Sequence, residues 1–151
     1  MHRLASTFGK NMKTQILLLI LVFIATSLLG GENEIREAYT KVHQAKDTEA
    51  FLRLVEFSDD TPEWIRAQII ESFKSDSAFK VTSIDFTPTP PDFLSSFEYE
   101  GVTYVSTLSP LVRMKVSFST EDQGKAKITS TTYTIGEKDG IWRIISAKPK
   151  K

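Results

Sequence analysis

The chain has no cysteine. That excludes disulfides, a cysteine nucleophile and thiolate metal sites, together with the lipid-modified cysteine that anchors one class of exported protein. Histidine is nearly as scarce: beyond residue 31 there is only His43. One histidine among scattered acids gives no metal-ligand spacing, so neither a metal nor another cofactor is expected. No serine sits in a nucleophile elbow, and the seven glycines form no phosphate-cradling loop. An excess of positive charge is lacking as well. From residue 32 onward 16 Lys and Arg face 19 Asp and Glu, a net of −3, which leaves no electrostatic footprint for nucleic acid.

What is present begins with an address. "KNMKTQILLLILVFIATSLLGGENE" has a basic flank, an apolar centre and a small-residue exit, and no acid precedes Glu32. Ile16 to Ala25 are unbroken apolar residues, short of the ~20 that a bilayer-crossing helix uses and right for a signal-peptide centre. Residues 1–31 are expected to be a signal peptide, with Ala25 and Ser27 placed for cleavage. The alternative is an uncleaved N-terminal membrane anchor. Residues 32–151 then form one domain exported across the cytoplasmic membrane, periplasmic or secreted, which meets the membrane only through residues 12–31 if these are retained. Met12 resembles a more usual start for such a segment.

Three helices with short joins are expected over residues 33 to about 75. After Asn33, Ile35, Ala38, Tyr39, Val42 and Ala45 recur at helical spacing. Asp47 caps a shorter helix, "TEAFLRLVEF", with Phe51, Leu54 and Val55 inward. Thr61 and Pro62 start a third, "EWIRAQIIESF", striped by Ile65, Ile69 and Phe73. His43 falls on the edge of the first helix, half-exposed on this reading.

Strands follow. "FKVTSIDFT" alternates, with Thr82, Ile84 and Phe86 on one face and Val81, Ser83 and Asp85 on the other. "TPTPPD" breaks regular structure. "FEYEGVTYVS" reads as a hairpin around Glu100 and Gly101, and "LVRMKVSFS" puts Val112, Met114, Val116 and Phe118 inward. The last hairpin turns at Lys138, Asp139 and Gly140. Helices first and antiparallel strands afterwards make an α+β domain. The three terminal lysines read as a solvated tail.

"IREAYTKVHQAKDTEAFLRLVEF" resembles the first two helices of the nuclear transport factor 2-like (ketosteroid isomerase-like) superfamily. "YTIGEKDGIWRIISA" resembles its last hairpin, in which a Trp follows "DG". The resemblance covers about a third of residues 32–151. It implies N-terminal helices packed on a curved antiparallel sheet, a cone enclosing an apolar pocket, and often a homodimer through the sheet face. By its distance from Asp47, Tyr39 matches the oxyanion tyrosine of the isomerases. The match stops there, because a third helix stands where the base aspartate should follow, so an isomerase mechanism is not supported.

No residue is singled out as catalytic. The ligand-binding candidates are Tyr39, His43, Trp64, Tyr104, Met114 and Trp142. The most distinctive stretch is "PTPPDFLSSFEYEGVTYVSTLSP", a proline-stiffened segment rich in aromatics that either seals the pocket as a lid or contacts a ligand. The expected function is a non-catalytic domain that binds a small apolar ligand or associates with another protein. The alternative is a small isomerase- or dehydratase-like enzyme using Tyr39 and His43 in the pocket.

Overall fold

A computed structural model describes residues 31–122 and 124–151. The signal peptide or anchor expected over residues 1–31 lies outside these, Gly31 excepted. No helix among the described residues is long and apolar enough to cross a membrane.

Helix α1 covers residues 31–45 and is in place before Asn33, whose Oδ1 instead accepts from Arg36 Nη1 at 3.0 Å. It ends where Lys46 adopts a left-handed φ of 51°. The Asp47 N–H then donates to the Val42 carbonyl at 3.0 Å, a helix-ending pattern that satisfies last-turn carbonyls. Asp47 serves the next helix at once: its Oδ1 accepts from Ala50 N at 2.9 Å. That helix, α2, spans only Thr48–Leu52. The expected continuation through Val55 is instead β1, Val55–Glu56, paired parallel to the last long strand. β-Branched Val55 sits well on that pleated surface.

Helix α3 is Glu63–Asp76, with Pro62 as its N-cap residue. Thr61 does not cap it; its Oγ1 accepts from Ser58 N at 2.9 Å and closes the preceding turn.

The strands are β2 (Lys80–Pro88), β3 (Ser96–Tyr99), β4 (Val102–Ser106), β5 (Val112–Asp122), β6 (Lys125–Lys138), β7 (Ile141–Ile145) and β8 (Ala147–Pro149). They form a five-stranded sheet ordered β1-β7-β6-β5-β2 and a three-stranded one ordered β3-β4-β8. The α+β class is therefore as expected, while the larger sheet is mixed, because β1 runs parallel to β7. Asp139 and Gly140 both take positive φ, 54° and 77°, as a two-residue hairpin turn demands.

β2 departs from its expected alternation. Val81 pairs with Phe118 and Ser83 with the adjacent Ser117, leaving Thr82 as a bulge. The extra residue turns Val81 to the face of Ile84 and Phe86, and all three pack on the core. The core itself joins Tyr39, Phe51 and Phe73 from the helices to Met114, Val116, Phe118 and Ile135 from the sheet. The Phe51 and Phe73 rings stack 4.0 Å apart and 6° from parallel. Each helix supplies one part of this apolar surface, so none needs to be stable alone.

The terminal lysines are not a free tail. Lys148 pairs with Val105 in β8, Lys150 N donates to Thr103 O at 2.8 Å, and Lys151 Nζ meets Asp60 Oδ2 at 2.8 Å.

Candidate functional site

The proline-stiffened segment folds back beside the first half of α3. Residues 89–95 lead into β3, which the turn at Glu100 and Gly101 joins to β4. Tyr104, on β4, is buried and anchors this lid: it stacks on Phe97 at 5.2 Å and meets Trp64 edge-on at 5.6 Å. Trp64 and Tyr99 are 4.8 Å apart. Trp64, Phe97 and Tyr99 nevertheless remain partly exposed, and Leu94 is 81% exposed.

Between this aromatic group, α3 and the end of β7 lies a cavity of about 490 Å³, a size that suits a small molecule. Trp64, Phe93, Phe97 and Tyr99 supply its apolar walls; Gln68 and Ser146 are among its few polar groups. No Asp, Glu, His, Lys or Arg lines it. The chemistry available is stacking, apolar burial and neutral hydrogen bonding. Among its lining groups there is no general acid or base for chemistry near neutral pH.

The six candidates do not converge. Trp64 lines the lid cavity, and Tyr104 braces it from behind. Met114 is fully buried in the core. Trp142 is buried too, against Phe86 and against Gly31, where a Cβ would collide with the indole. Tyr39 is 0% exposed and ringed by Phe51, Phe73 and Tyr133.

His43 is 5% exposed rather than half-exposed, sandwiched between Tyr39 and Phe118. Its Nε2 lies 3.2 Å from the Asp76 carbonyl oxygen; a carbonyl only accepts, so Nε2 carries the proton. The Asp76 carboxylate is itself engaged by Thr131 Oγ1 at 2.7 Å. His43 borders a different cavity, of about 420 Å³, together with Thr40, Phe79 and Lys80.

The Tyr39 and Tyr133 hydroxyls are buried without hydrogen-bond partners. Burial is the main cause that raises the ionisation of both above the ordinary phenol value. The Asp76 carboxylate adds to it, and Tyr133 is pushed up to about 12.

Sequence reasoning flagged Trp64 and the lid aromatics because a proline cluster beside apolar residues is unusual. It missed Gln68, Thr134, Ile145 and Ser146. A glutamine on an exposed helix face carries no signal of its own, and β7 stops short of Ser146 for reasons set by distant partners. Searches of protein-family models, curated proteins and solved structures found nothing that matches this chain.

Proposed function

We propose that the chain is an exported, non-catalytic domain that binds a small apolar ligand in the lid cavity. The single observation that supports this best is the uncharged cavity of about 490 Å³ beside Trp64, walled by aromatics from the lid. Exposed aromatic surface on a proline-stiffened segment is costly to leave uncovered, and such surface typically marks a contact site. Export is supported by the basic flank and apolar run before residue 31. A conical arrangement like that of nuclear transport factor 2-like proteins is supported by the α1–α2 break at Lys46 and Asp47 and by Trp142 after the Asp139 and Gly140 turn.

Native mass spectrometry of the full chain, beside a denatured aliquot, tests the reading. A small molecule retained natively and lost on denaturation is the expected result, with Trp64→Ala abolishing retention. A chain that stays empty after incubation with neutral aromatic compounds overturns ligand binding. An empty dimer would transfer the proposal to association through the sheet face.

A further inference from the structure

The lid cavity does not end at Gln68. Gln68, Thr134 and Ile145 also line a second cavity of about 350 Å³, which continues along α3 to Ser72, Thr131 and Thr132. The two differ in character. At the lid end the walls are Trp64, Phe93, Phe97 and Tyr99; at the other they carry the hydroxyls of Ser72 and of successive threonines on β6. Gln68, Ser72 and Thr132 are exposed, so their amide and hydroxyl groups remain open to a bound molecule. Across both cavities no acidic or basic side chain lines the wall.

We propose that the two cavities act as one groove along α3 that takes a neutral, elongated amphiphile, its flat apolar end against Trp64, Phe97 and Tyr99 and its hydroxyl-bearing end beside Ser72 and Thr132. The inference rests on the ligand-binding reading above and narrows its ligand class. Three physical points support it. Aromatic faces reward flat apolar groups by stacking. Hydroxyls and an amide pair with ligand hydroxyls or carbonyls without a charge to neutralise. A ligand carboxylate or ammonium would lose hydration there without gaining a counter-charge. An aromatic compound alone fills only the lid end, and a free sugar only the other.

The test uses the full chain in nanodiscs and follows the Trp64 indole N–H resonance, with Trp142 as internal control. Three soluble probes are titrated: para-nitroanisole, para-nitrophenyl glucoside and para-nitrophenyl glucuronide. The glucoside should bind at least about fivefold more tightly than the anisole, the gain of one or more neutral hydrogen bonds. The glucuronide, which differs by its carboxylate, should bind at least about tenfold more weakly than the glucoside. Ser72→Leu, at an exposed helix position that tolerates a leucine, should remove the glucoside's advantage and leave the anisole unchanged. Thr132→Val should reduce that advantage without filling the groove. If no probe moves Trp64, the ligand-binding reading itself fails. If the anisole binds but the glucoside gains nothing, or Ser72→Leu leaves its gain intact, the lid cavity stands and the continuous groove is overturned.

Discussion

At the scale of single residues, the buried tyrosine pair stands out. Tyr39 is completely buried, and neither its hydroxyl nor that of Tyr133 finds a partner. An unsatisfied buried hydroxyl costs about 1–3 kcal/mol, whereas the Tyr39 ring earns its place against Phe51 and Phe73. Tyr39→Phe should therefore raise stability by about 1 kcal/mol in urea unfolding; a loss of similar size would show that the hydroxyl is satisfied. Alkali should expose the same feature. The fold favours the neutral phenols: the unfolded chain ionises them near pH 10, and folded Tyr133 only near about 12. Stability is thus unaffected by this pair below pH 10 and falls as pH rises beyond it, by up to about 1.4 kcal/mol per pH unit for each tyrosine. Unfolding measured between about pH 9 and about pH 11 should show a decline that is shallower in Tyr133→Phe, since the exposed lysines that titrate in the same range are unchanged in the variant. His43 shows the limit of local reading. Helical spacing placed it one turn from Tyr39, but only the arrival of Phe118 from a strand distant in sequence buries it.

Among the elements, what was legible in the sequence is what local chemistry controls. The Asp47 cap, the inward face of β5 and the turns at Gly101 and Gly140 each follow from a few adjacent residues. The early end of α2 does not: "LRLVEF" suits a helix equally well, and it is the parallel pairing of Val55 with Ile144 that draws it into the sheet. The bulge at Thr82 is likewise a property of the β2–β5 ladder, invisible in β2 alone. It yields a sharp contrast. Deleting Thr82 removes the surplus residue and keeps Val81 opposite Phe118, so the variant should fold with a loss of about 1–2 kcal/mol, including its bond to Ser117 O. Deleting Asp85 puts Ile84 and Phe86 on opposite faces. One of them must leave the core, and a loss above about 3 kcal/mol is expected. Thermal melts of the two deletions decide the matter; equal losses would contradict the bulge.

At the scale of the molecule, the lid depends on a join that no single segment encodes. β7 gives way at Ser146, and β8 crosses to the second sheet. Ser146 Oγ donates to Glu56 O at 2.6 Å, and Thr107 Oγ1 donates to the same carbonyl at 2.9 Å, so β1, the β7–β8 junction and the exit from β4 meet at one point. The proline in β8 fits this arrangement. Pro149 faces Tyr104, while Lys148 faces Val105 and Lys150 N donates to Thr103 O. In an antiparallel ladder such pairs alternate between bonded and non-bonded, which makes Tyr104–Pro149 the pair that needs no N–H and Lys148–Val105 one that does. A second proline in place of Lys148 removes that donor. Lys148→Pro should release β3 and β4 while the five-stranded sheet holds. Hydrogen exchange at Val102–Ser106 should accelerate by at least about tenfold, the loss of roughly one ladder hydrogen bond, with the amides of Val116 and Phe118 unchanged. Because Tyr104 braces Trp64 from β4, the same variant should also lose ligand retention. Retention that survives a freely exchanging β4 would mean that α3 alone forms the binding surface, and the lid would then be a cover and not a wall.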